Sequence, residues 1–128
     1  MTLKEIRDFV ASLGIADHVY MGILDSKPEK SIGVYNSKHT HAYTTAIGGP
    51  QMSSYETLYV TLLIHWNKLP GETEDAGKRL FDALTATREY GNIKFITPLY
   101  HLQDVGSDEF GIREMVIEAA FICSKKGE

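Results

Sequence analysis

The sequence predicts an α+β fold: a mostly antiparallel sheet of about five strands, with two helices packed on one face and a long hairpin arm, in a single domain over 1–128. Three observations carry this reading. Apolar residues recur at helical spacing in two segments, one at the N-terminus and one mid-chain. The other ordered segments have strand length and are bounded by Gly, Pro, Asn or Asp. Only one of the helices stands between strands, so hairpin links are expected to dominate.

The first helix is "TLKEIRDFVASLG". Thr2 and Glu5 have capping-box spacing, in which hydroxyl and carboxylate each satisfy an N–H of the first turn. Leu3, Ile6, Phe9, Val10 and Leu13 form one apolar stripe. Gly14 stands where a left-handed residue ends a helix, and Ile15 is placed to fold back onto Val10. "HVYMGIL" and "KSIGVYN" read as short strands, and the polar "DSKPEK" between them, with Pro28, predicts a hairpin. Gly22 and Gly33 mark a bulge or a close backbone approach.

"YETLYVTLLIHWN" alternates most clearly. Leu58, Val60, Leu62, Ile64 and Trp66 make an apolar face for the helices; Thr57, Tyr59, Thr61, Leu63 and His65 make a mixed face. "LPGETEDAGKRLFDALTATREYGN" is the second helix. Pro70 and Gly71 end the strand, Glu72, Glu74 and Asp75 suit the positive end of the helix dipole, and Arg88 suits the other. Ala76, Leu80, Ala83, Leu84 and Thr87 form its buried stripe beside Phe81, and Gly91 is the expected stop. "IKFITPLYHL" and "FGIREMVIEAAFIC" are the last strands. Pro98 lacks an N–H, so the first lies at an edge or carries a bulge. The second puts Met115, Ile117, Ala119, Phe121 and Cys123 on one face, with Glu114 and Glu118 on the other.

Composition narrows the function. The chain has 128 residues, 43% of them hydrophobic, and a net charge of −4. That balance argues against sequence-independent nucleic-acid binding through a broad basic surface. The single Cys123 forms no intrachain disulfide. No apolar run approaches the ~20 residues that cross a bilayer, and "MTLKEIRDF" is unlike a signal peptide. The expectation is a soluble protein of a reducing cytoplasm.

Chemistry-bearing residues do not converge. His39 and His41 share a side if their segment is extended, and would begin a metal site. Such a site needs three or four ligands; His65 and His101 belong to other strands, and no Asp or Glu lies between residues 31 and 55. Cys123 falls on a buried face, where a thiol behaves as a small apolar group. Ser53 and Ser54 have no base nearby in sequence. "AIGGPQ" lacks the lysine and the strand-to-helix setting of a phosphate loop, and reads as a turn. Glu114 and Glu118 share a strand face ~13 Å apart, too far to share a proton. No catalytic residue, metal or cofactor is assigned.

The stretch Asn36–Ser54 runs about nineteen residues, longer than the ~12–15 beyond which loops are functional or disordered. It holds Tyr43, Ile47 and Met52, apolar groups a solvated loop does not need. An extended arm packed on a neighbouring subunit explains them.

"VYMGILDSKPEKSIGVYN", the "AIGG" loop, and "YETLYVTLLIHWNK" leading into "ETEDAGKRLFDAL" resemble the minor capsid proteins of tailed phages and prophages of Gram-positive bacteria. The resemblance covers nearly the whole chain; "KSIGVYN" and "LLIHWNK" before an acidic helix start are its best signals. It implies a tail-terminator-like α+β fold without catalysis, assembled as a homo-oligomeric ring, typically a hexamer, at the head–tail neck of the virion. The implied partners are the tail tube protein and the head-completion or connector proteins, with DNA only passing through the lumen and no membrane. A ring needs a head-to-tail interface that closes on itself. His39, His41, Tyr43, Ile47 and Met52 of the arm, with Tyr55, Tyr59, Leu63 and His65 of the mixed face, are the candidate subunit contacts. The alternative is a small metal- or ligand-binding enzyme on a ferredoxin-like α+β scaffold.

Overall fold

The computed structural model describes residues 2–22, 28–37 and 55–124. In chain order the elements are α1 (Leu3–Ser12), β1 (His18–Met21), β2 (Ser31–Asn36), β3 (Tyr55–His65), α2 (Pro70–Ala86), β4 (Arg88–Tyr90), β5 (Ile93–Pro98), β6 (Gln103–Ser107) and β7 (Arg113–Ser124). The fold is α+β, with two helices and one mostly antiparallel sheet. Strand order is β1-β2-β3-β7-β5-β4, and β6 also pairs with β7. The two longest strands, β3 and β7, form the centre, paired from Tyr55↔Ser124 to His65↔Glu114.

The helix starts follow from local chemistry. Thr2 caps α1 with the full capping box: its hydroxyl accepts from the Glu5 N–H, and the Glu5 carboxylate accepts from the Thr2 N–H. Gly14 takes the left-handed conformation at φ +69. At α2, Pro70 does more than end the strand: it is the first helical residue, where a missing N–H costs nothing. Asn67 organises this start, accepting from the Leu69 N–H at 3.0 Å and donating to Glu72 at 2.8 Å.

Three expectations are corrected. β1 and β2 are not a hairpin; they run parallel, with His18 opposite Ser31 and Met21 opposite Val34. The N–H groups of Asp17 and His18 both reach the Lys30 carbonyl, so the chain leaves α1 already beside the start of β2. A parallel return normally needs a helix, but a strand as short as β1 asks the chain to retrace only ~13 Å. The connection 22–30 is long enough for that.

The second helix does not run to Gly91. It ends at Ala86, and Thr87 is its extended C-cap. Arg88–Tyr90 then form β4, and Gly91 (φ +56) sits in the turn to β5, where Tyr90 opposes Ile93. Arg88 still serves the helix end: its guanidinium donates to the carbonyls of Thr85 and Thr87.

Finally, "IKFITPLYHL" is a strand only as far as Pro98, where β5 ends; β6 begins at Gln103, just past that stretch, and the two lie one after the other along β7. With β4, this raises the sheet from the expected five strands to seven. Pro98 ends β5 beyond the reach of β4, whose pairing stops at Phe95, so its missing N–H interrupts no ladder. A bulge between Ile93 and Phe95 turns both Ile93 and Ile96 inward.

Both helices lie on one face of the sheet. Ile6, Phe9 and Val10 of α1 and Ala76, Leu80 and Leu84 of α2 join one buried cluster with Ile32, Val34, Leu62, Ile64, Ile117 and Phe121. Gly77 of α2 permits a close approach, since a Cβ there would lie 3.0 Å from Leu102 and from the Met115 sulfur. Among the described residues no helix is long and apolar enough to cross a membrane.

Candidate interaction face

Among the described residues no helix packs across the opposite face; only Leu3, at the start of α1, reaches the hollow on it. Register lays its side chains out in rungs. Phe95, Ile122 and Thr57 form one, followed by Thr97, Ala120 and Tyr59. Next come Glu118, Thr61 and Tyr35. Gln103, Val116, Leu63, Gly33 and Tyr20 make the fourth rung, and Glu114, His65, Ser31 and His18 the fifth. The face is therefore mixed, with carboxylates set between apolar rungs.

Its polar groups are held in place. The Glu118 carboxylate accepts from the Thr61 hydroxyl at 2.7 Å and from the Ser37 hydroxyl at 2.9 Å. Ser37 also donates its N–H to the Tyr59 carbonyl, which ties the end of β2 to β3. His65 Nδ1 lies 2.9 Å from Glu114 Oε2 and 3.8 Å from Asp108 Oδ2. An ionised carboxylate only accepts, so Nδ1 is assigned the proton in that bond.

Aromatic packing fills the β1–β2 side. The rings of Tyr20 and Tyr35 stand edge to face, with centroids 6.2 Å apart and hydroxyls 3.3 Å apart. Both lie over Gly33, where a Cβ would stand 2.7 Å from Tyr35 and 2.8 Å from Tyr20. The close approach expected at Gly33 is thus a ring contact. Burial holds the Tyr20 hydroxyl well above the usual tyrosine range, and its hydrogen bond with Tyr35 adds to this.

Between these groups lies a hollow of about 790 Å³, lined by Tyr35, Thr61, Leu63, Val105, Val116 and Glu118 among others. A smaller depression of about 310 Å³ lies on the helix side, floored by Phe81, Leu102 and Met115 and rimmed by Glu74, Lys78 and Asp82. Among the described residues no group of three or more His, Cys, Asp or Glu is placed to hold a metal ion. Cys123 is buried on the core face, where burial first and the Glu56 carboxylate second push its thiol up to about 11. At the β6 edge, the Gly106 N–H, and then the Arg113 guanidinium, hold the Asp104 carboxyl below its ordinary value.

The candidate contact residues separate by place. Tyr55 is 53% exposed at the end of β3, while Tyr59 and Leu63 are half-buried on the open face. His65 is only 1% exposed, its imidazole turned to Glu114, so it positions a carboxylate and presents no surface of its own. His39, His41, Tyr43, Ile47 and Met52 lie outside the described residues, as does the arm they belong to. Sequence reasoning missed the Glu118–Thr61–Ser37 and His65–Glu114 bonds. The alternation put these groups on one face, but only the pairing of β3 with β7 sets them opposite each other.

No family model matches the sequence, and no curated protein matches it. Among solved structures, the chain is similar to the gp17 protein of bacteriophage SPP1, at 13% identity and a TM-score of 0.46, over 98% of this chain and 91% of that one.

Proposed function

We propose that this chain is a structural protein of a tailed-phage virion, a tail terminator or head–tail joining component that assembles as a ring and makes or breaks no bond. The observation that carries the reading is the asymmetry of the sheet: one face is sealed by both helices, and among the described residues the other has no helix packed across it, only Leu3 at the start of α1 reaching its hollow, and is half apolar. A face of that composition suits protein contact, where a packed apolar centre is bordered by satisfied polar groups. The resemblance of "KSIGVYN" and "LLIHWNK" to phage minor capsid proteins supports the same reading.

In this arrangement Tyr55, Tyr59 and Leu63 meet a neighbouring copy, and the arm bearing His39, His41, Tyr43, Ile47 and Met52 extends the contact. Closure is head-to-tail, with a hexamer as the expected ring. The ring sits at the head–tail neck between tail tube and connector proteins, and DNA passes through its lumen. The subunits are made in the host cytoplasm before assembly.

Purified protein is expected to give multi-subunit species by size exclusion with light scattering, alone or on tails assembled without it. Deletion of 38–52 is expected to abolish joining of heads to tails. A chain that stays monomeric in both settings, with a deletion variant that still supports assembly, overturns the proposal.

A further inference from the structure

At the far end of the sheet from Tyr55, the turn between β6 and β7 is pinned by Asp108. Its Oδ1 accepts from the N–H groups of Phe110 at 2.8 Å and Ile112 at 3.0 Å. Its backbone N–H donates to the Ile112 carbonyl at 2.9 Å, and its carbonyl accepts from the Gly111 N–H at 3.0 Å. Gly111, at φ +82, makes the reversal possible. Through Asp108 Oδ2, 3.8 Å from His65, the turn is also tied to the open face.

At the tip stands Phe110, 72% exposed, the most exposed large apolar side chain among those described. Glu109 beside it is exposed as well. A ring held out on so tightly bonded a turn loses little freedom when it docks, which is the preorganisation a contact needs.

We infer that this turn is a plug for a different virion protein: Phe110 enters an apolar socket whose rim is basic and meets Glu109. The inference rests on the virion role proposed above. Charge argues against a second copy as the socket. Among the described residues neither depression has a basic rim: Glu118 lines the larger, and in the smaller Lys78 is matched by Glu74, 3.9 Å away, leaving Asp82 in excess beside His101. Like charges brought together at a contact oppose binding.

The test uses heads and tails assembled without this protein, mixed with the purified chain or with Phe110→Glu, Phe110→Leu or Glu109→Lys. All three variants are expected to keep the wild-type thermal midpoint and oligomer mass. Phe110→Glu is expected to lower the yield of joined particles about 30-fold, the scale of a hot-spot residue. Glu109→Lys should lower it less, and Phe110→Leu least. Joining by Phe110→Glu at the wild-type level overturns the plug and leaves the virion role standing. A changed oligomer mass in Phe110→Glu places the contact between copies and also overturns it. A wild type that joins no heads to tails overturns the virion role and the plug with it.

Discussion

The two faces of the sheet are built from alternate residues of the same strands and do different work. On the core face, Val60, Leu62, Ile64, Ile117, Ala119 and Phe121 are sealed under both helices. On the open face, their neighbours Tyr59, Thr61, Leu63, Val116, Glu118 and Ala120 run from half-buried to buried with no helix packed across them among the described residues, and the carboxylates are bonded within the sheet. Stability therefore concentrates on one side of β3 and β7, and the proposed subunit contact falls on the other. Substitutions on alternate residues of one strand should separate folding from assembly.

The largest expected effect on folding is on the core side. Phe121→Ala should cost about 3–5 kcal/mol in chemical denaturation, because a fully buried ring leaves a cavity that both helices border. Leu63→Glu, on the open side of the neighbouring strand, should cost no more than about 1 kcal/mol. Similar costs for the two would remove the distinction between the faces.

Gly33→Ala comes next, at about 1–3 kcal/mol by the same measurement, since the new Cβ drives into the Tyr20 and Tyr35 rings. Tyr35→Ala in the same chain should recover part of that loss. Glu118→Ala should cost about 1–2 kcal/mol by leaving the Thr61 and Ser37 hydroxyls without their acceptor, and Glu118→Gln, which keeps a carbonyl, should cost less.

The smallest effect concerns Cys123. Its folded value, about 11, lies above the ordinary thiol value. The contribution of the neutral thiol to stability is complete at neutral pH and is lost as pH climbs toward that value. The native thiol is expected to stay inert to a thiol-reactive dye at pH 8 and to react fully in denaturant. Fast native labelling would show that the core face is open.

Much of the fold was legible because the patterns that encode it are local. The Thr2–Glu5 capping box, the left-handed Gly14, the alternation of β3 and the inward set on β7 depend on neighbours a few residues away. The parallel β1–β2 pair was not legible, because a hairpin and a short parallel return share the same polar connection, and the pairing of Asp17 and His18 with Lys30 decides between them. The early end of α2 was hidden for a similar reason: Arg88 and Gly91 suit a helix terminus, and they also suit a tight strand turn. The open face was partly legible. Alternation marked Tyr59, Leu63 and His65 as one side of β3, but burial of His65 against Glu114 follows from register across forty-nine residues of chain, which no local pattern carries.

Self-assembly through the open face is tested most directly by measuring oligomer mass for the wild type and Leu63→Glu by light scattering, at rising concentration and on tails assembled without the protein. The account predicts a multi-subunit wild type and a folded, monomeric Leu63→Glu whose thermal midpoint stays close to wild type. A Leu63→Glu oligomer of wild-type mass, or a wild type that remains monomeric in every setting, would contradict it.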